Sequence, residues 1–164
     1  MDVEQLKVDV DFMIQALKEA QAAAEEGEVP VGCVIVAGDE KVKGKKAAPA
    51  ARIIARAHNL TETLKDPTAH AEMQAITSAS AYLGGKYLDK CTLYVTVEPC
   101  PMCAAALNWS QIGRVVYGCA DPKRGASKFS PSLYHPKTEV TGGILEKECS
   151  RVMTDFFSAK RKLK

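Results

Sequence analysis

At 164 residues, with 46% apolar and 26% charged side chains, the chain has the size and composition of one soluble globular domain around a single core. A formal net charge of +2 excludes a strong overall field for polyanions. No stretch approaches the roughly 20 apolar residues that span a bilayer, and six cysteines without a secretory signal fit a reducing, cytoplasmic setting better than a disulfide framework.

The opening Met1-Asp2-Val3-Glu4 is acidic, so no signal peptide is expected. Residues 9–26 predict a helix, with Phe12, Ala16, Leu17, Ala20 and Ala24 at helical spacing and Gly27 as its C-cap. Residues 31–36 are a short β-branched run, read as a buried strand, and 52–57 predict a second. Between them, 37–51 is rich in Gly, Lys, Ala and Pro and reads as a long hairpin loop carrying Lys41, Lys43, Lys45 and Lys46. Asp66-Pro67-Thr68 supplies capping chemistry for a helix over 69–81, ending near Gly84-Gly85. The clearest strand is 92–97. Pro99 opens a further helix running to about 111, followed by a strand at 114–117, a loop over 121–136 and an edge strand at 138–141. An amphipathic helix over 145–160 and a basic tail at 159–164 end the chain. Alternating strands and helices predict a three-layer α/β/α sandwich with a mixed central sheet, in one domain spanning 1–164.

The chemistry concentrates in His70-Ala71-Glu72 and Pro99-Cys100-Pro101-Met102-Cys103. His70, Cys100 and Cys103 are three metal ligands with a fourth position left open, which is the pattern of catalytic rather than structural zinc. A Glu two residues after the His and a Cys pair three apart is the signature of zinc-dependent nucleobase deaminases. At that spacing Cys100 and Cys103 share a helix face, and in a first turn the helix dipole favours their thiolates. Glu72 is harder to place, since two residues correspond to about 200° around an ideal helix. Two other uses of these residues stay open: a redox CxxC pair, or a structural zinc closed by His58 or His135. Cys33, Cys91, Cys119 and Cys149 lie among apolar residues and read as small core side chains.

Further strings accompany this pair: Glu28-Val29-Pro30-Val31-Gly32, Asn59, Asp66-Pro67-Thr68 ahead of Ala69-His70, Ile112-Gly113-Arg114-Val115-Val116-Tyr117-Gly118, Asp121, and Asp155-Phe156-Phe157 with its basic end. On these residues nearly the whole chain resembles the tRNA-specific adenosine deaminases of the cytidine deaminase superfamily. The resemblance implies a cytidine deaminase-like fold, one Zn²⁺ per subunit on His70, Cys100 and Cys103, and Glu72 as proton shuttle. It further implies that Asn59 and backbone groups near Ala71 bond the purine, Val29 walls the pocket and Asp121 lies by the ribose. Phe156, Phe157, Lys160 and Arg161 would meet the RNA. The implied reaction is hydrolytic deamination of adenosine to inosine at the anticodon wobble position, by a homodimer whose partner is the tRNA anticodon loop. The 37–51 loop departs from the family, being about a dozen residues longer than its usual turn. Two alternatives remain: a free-base or nucleoside deaminase of guanine or cytosine type, which Trp109 also suggests, or a non-catalytic deaminase-fold subunit that binds RNA or a protein.

Overall fold

The computed structural model describes residues 2–38 and 51–163. Residues 39–50, which carry Lys41, Lys43, Lys45 and Lys46 of the expected basic loop, lie outside the described residues. In chain order the elements are α1 (Val3–Glu25), β1 (Gly32–Ala37), β2 (Arg52–His58), α2 (Ala71–Leu83), β3 (Cys91–Val97), α3 (Pro101–Trp109), β4 (Arg114–Cys119), β5 (Glu139–Thr141) and α4 (Glu146–Lys162). A short 3₁₀ turn at Ala126–Lys128 interrupts the loop before β5.

The strand order is β2-β1-β3-β4-β5. β1 pairs antiparallel with both β2 and β3, while β3, β4 and β5 run parallel, so the expected mixed sheet is borne out. β3 lies at the centre with every residue buried, as its apolar and β-branched composition requires. Its alternating side chains feed two cores. Leu93 and Val95 join Cys33, Ile35, Ala71, Ala75 and Leu107 on the α2 and α3 side. Tyr94 joins Met13, Ala16, Val34, Val116 and Cys149 on the α1 and α4 side. Helices therefore cover both faces, giving the three layers.

Two devices seat α1. A Cβ on Gly32 would lie 2.3 Å from the Ala16 carbonyl oxygen and from the Ala20 nitrogen, so glycine lets β1 and α1 meet backbone to backbone. Asp9, fully buried, then accepts both guanidinium nitrogens of Arg114 at 2.7 Å and the Tyr94 hydroxyl at 2.8 Å. That carboxylate ties α1 to β3 and β4.

Three helix starts differ from the sequence reading by two residues or more. α1 begins at Val3, capped by Asp2, whose carboxylate accepts the Glu4 N–H at 3.0 Å; the polar first turns hide its start. α2 begins at Ala71, because Asp66 caps its own turn by accepting from the Thr68 N–H and hydroxyl, both at 2.8 Å. α3 begins at Pro101 rather than Pro99, since the following proline holds Cys100 in an extended conformation. No helix among the described residues is long and apolar enough to cross a membrane.

His58 links the end of β2 to α1, its ring nitrogens 2.8 Å from Glu19 and 2.9 Å from Glu26. Burial alone would push His58 down, but the two carboxylate hydrogen bonds outweigh it and raise its pKa above the ordinary 6.5. A raised folded pKa stabilises fully below the unfolded value and fades as pH climbs through the folded one. His58→Gln should therefore lower Tm more at about pH 6 than at about pH 8.5, and equal losses at both would contradict this. Arg114→Met leaves the Asp9 carboxylate buried without its cation and should cost about 3 kcal/mol in urea unfolding.

Candidate active site

The register places the exits of two strands side by side. Gly32 pairs with His58 and Cys33 with Val95, so β2 and β3 both end beside the start of β1. The next helix after each exit is α2 or α3, and its N-terminal end carries a ligand. Asn59, just past β2, accepts the Ala71 N–H at 2.9 Å and so satisfies a donor that the first turn of α2 leaves free. That bond pins the start of α2 to the strand exit.

His70 is the N-cap of α2, with extended backbone at φ −71° and ψ 154°. Cys100 is the N-cap of α3, and Cys103 lies in its first turn. The His70 Nδ1 is 3.6 Å from Cys100 Sγ and 3.5 Å from Cys103 Sγ, and all three ligand atoms lie within 4.8 Å of one another. An ion tetrahedrally bound at about 2.0 Å to nitrogen and about 2.3 Å to sulfur would hold those atoms about 3.6 Å apart. The three residues fit zinc and leave one position open. Because His70 precedes the helix, the 200° separation of the sequence reading does not apply, and Glu72 lines the same cavity while only 3% exposed.

The electrostatics of this group are coupled. A hydrogen bond from Cys103 and another from His70 hold the Cys100 thiol down at about 4. Cys103 is pushed up, since its proton bonds to Cys100 and burial disfavours its charge. The Cys100 hydrogen bond raises His70. Burial raises Glu72, and the negative charge on Cys100 adds to it. Without metal the pair is one thiolate and one thiol, and a bound dication displaces the remaining proton.

The cavity has a volume of about 600 Å³ and is bounded on one side by Val29, Val31 and Asn59. Its other side is formed by Asp121, Lys123, Arg124 and Phe129, with Met153 reaching in from α4. Asp121 also accepts the Lys123 and Arg124 N–H groups at 3.0 Å, so it caps its own loop as well as lining the pocket. Ala71 is fully buried and its N–H donates to the Asn59 carbonyl oxygen. Phe156, Phe157, Lys160 and Arg161 are not brought into the cavity. The two phenylalanines stack edge to face at 5.3 Å, with the Lys160 ammonium 4.9 Å from the Phe156 ring.

Neither histidine offered as a fourth ligand joins the group: His58 faces Glu19 and Glu26, and His135 accepts the Lys137 N–H at 3.1 Å. Cys33, Cys91, Cys119 and Cys149 are buried and unbridged, as expected. Sequence reasoning missed two wall supports, Glu28 and Glu98. Glu28 is fully buried and accepts the Glu62 N–H at 2.9 Å and the Thr63 N–H at 2.7 Å, holding the turn that carries Thr61 to the pocket. Burial would raise its pKa, but the hydrogen bonds from Thr63 and its neighbours lower it overall. The visible trace of Glu98 is a lone carboxylate beside a proline at the end of an apolar run, Val97-Glu98-Pro99, whereas Glu28 follows Glu25 and Glu26 and has no such mark.

Residues 6–119 match the family described as cytidine and deoxycytidylate deaminase zinc-binding region. The tRNA-specific adenosine deaminase of Bacillus subtilis is 44% identical over 158 residues, covering 93% of this chain and 91% of that protein. A solved structure from work on A-to-I editing by tRNA:A34 deaminases at the wobble position of transfer RNA superposes with a TM-score of 0.74. It is 40% identical, over 87% of this chain and 98% of that one. Guanine deaminase from Bacillus subtilis superposes less well, with a TM-score of 0.56 at 36% identity, over 73% of this chain and 66% of that one.

The coupled thiols give a chemical test. In metal-free protein at neutral pH, iodoacetamide should alkylate Cys100 at least about tenfold faster than Cys103, with zinc protecting both. Peptide mass spectrometry reads the two sites separately, and equal labelling would contradict the shared proton.

Proposed function

Because the chain belongs to the zinc-binding cytidine and deoxycytidylate deaminase family, we propose that it is a hydrolase converting adenosine to inosine in tRNA, at the anticodon wobble position. The observation that carries this reading is a buried Glu72 beside a three-ligand metal set, in a cavity within the size range of small-ligand pockets. The alignment with tRNA-specific adenosine deaminases along almost the whole chain supports the choice of substrate.

His70, Cys100 and Cys103 hold the metal. Zinc, when bound there, brings the pKa of a water towards 7. Glu72 takes a proton from the attacking water and gives it to the purine N1, then carries the proton of the new C6 hydroxyl to the departing amine. One water is consumed and one ammonia leaves from C6. Asn59 has its carbonyl oxygen on Ala71, which fixes the side chain and leaves its amide N–H₂ to read the base. Val29 and Val31 exclude water beside the ring.

A base reaches such a pocket only when splayed from its stack, as anticodon-loop bases are. Lys123 and Arg124 border the cavity and suit the adjoining phosphates. On α4, Met153 lines the cavity, and Phe157 and Lys160 follow at helical spacing on the same face. Phe156 and Arg161 flank them, so the four suit RNA just outside the pocket. In this reading the chain acts as one deaminase domain, as a homodimer and in the cytoplasm. The 85% exposure of Trp109 at the end of α3 supports a face that a second copy covers.

Guanine deamination is the second reading, favoured by the likeness to the guanine deaminase structure. Incubation of the zinc-loaded protein with an anticodon stem-loop should yield inosine, scored by mass spectrometry against free adenosine, guanine and cytidine. Glu72→Ala should keep its zinc and lose at least about 10²-fold in turnover. Consumption of guanine beside an inert stem-loop would overturn the tRNA assignment, and an active Glu72→Ala would overturn the proton shuttle.

A further inference from the structure

Glu98 lies between β3 and the Cys100 turn, 4% exposed, and takes no part in the chemistry above. Its N–H donates to the Cys119 carbonyl at 2.9 Å, which fixes it against the end of β4. Its side chain crosses to the loop that leaves β4. One carboxylate oxygen accepts the Asp121 N–H at 3.1 Å and the other the Ser127 N–H at 2.9 Å. A Cβ on Gly125 would sit 2.2 Å from the first oxygen, so glycine gives the carboxylate its room. The Ala126 N–H closes the arrangement by donating to the Pro99 carbonyl at 3.0 Å.

Between these anchors run Asp121, Lys123 and Arg124, which form one wall of the cavity. A loop of this kind is ordered only when its peptide N–H groups find partners. A carboxylate that accepts two of them supplies charge-assisted bonds, stronger than neutral ones. The same residue is two positions before Cys100, so whatever holds the loop is built onto the turn that holds the metal.

We propose that Glu98 is a positioning residue: its carboxylate clamps the 121–127 loop to the Pro99–Cys100 turn and so fixes Asp121 and its neighbouring cations relative to the metal ligands. This rests on the reading of that loop as a substrate-contacting wall. The role is in binding the sugar–phosphate part of the substrate, not in the reaction at the base.

Glu98→Gln keeps the shape but turns an N–H₂ towards one of the two backbone donors. Hydrogen exchange on the zinc-loaded protein should show the Asp121 and Ser127 amides opening about tenfold faster, with the Ala104 amide in α3 unchanged. Zinc content should stay at the parent level. KM for the stem-loop should rise about tenfold with kcat within about twofold. Gly125→Ala meets both the carboxylate and the Asp121 carbonyl oxygen, 2.6 Å from the added Cβ, so it loosens the same loop, should give the same pattern, and carries the measurements if Glu98→Gln fails to fold. Acting largely through one clamp, the double variant should be no worse than Gly125→Ala alone, which also meets the Asp121 carbonyl. A fall in kcat at constant KM, loss of zinc, additive effects or parental exchange at both amides would overturn the proposal. If the parent protein deaminates guanine instead of the stem-loop, the tRNA reading fails, while the exchange rates of the Asp121 and Ser127 amides still decide whether Glu98 clamps the loop.

Discussion

The antiparallel placement of β1 between β2 and β3 governs the site. It turns the exits of two non-adjacent strands to the same end of the sheet, where α2 and α3 then begin. Two sets of free N–H groups and two positive dipole ends converge there. Anionic ligands such as thiolates are favoured at such a point, and Cys100 and Cys103 supply them. Asn59 makes the convergence specific, since its bond to Ala71 sets where α2 starts and leaves His70 outside the helix, facing the sulfurs.

Buried carboxylates divide the structure into support and chemistry. Asp9, Glu28 and Glu98 are each surrounded by donors that fix one element in place: α1 on the sheet, the 61–63 turn, and the 121–127 loop. Burial with donors of this number stabilises the charged form, which shows in the lowered pKa of Glu28. Glu72 is buried to a similar degree, yet its pKa is raised, by burial first and by the charge on Cys100. A carboxyl held in a cavity with its proton readily exchanged is suited to acid–base work. The same residue type thus serves two ends, separated by how many N–H groups face it.

Much of this was legible in the sequence because its signals are local. The run at 92–97 reads as a buried strand and is one; the paired His and Cys motifs read as a three-ligand set and meet at zinc-like spacing. The misplaced starts of α2 and α3 have a common cause. Asp66 and Pro99 are good capping residues, but Asp66 caps its own turn and the Cys100–Pro101 step delays α3. The relation of Glu72 to His70 could not be read from spacing, since it depends on where a helix begins. Glu28 and Glu98 escaped because their donors are backbone groups more than 20 positions away along the chain. The phenylalanine pair near the C-terminus was legible as a motif, but the structure keeps it outside the cavity.

The central claim is that this zinc site acts on adenosine within folded RNA. Total tRNA from a deaminase-deficient strain, incubated with the zinc-loaded protein and sequenced so that inosine reads as guanosine, tests it most directly. Conversion confined to the wobble adenosine is the expected result. Unchanged tRNA, with free guanine or cytidine consumed by the same preparation, would contradict it.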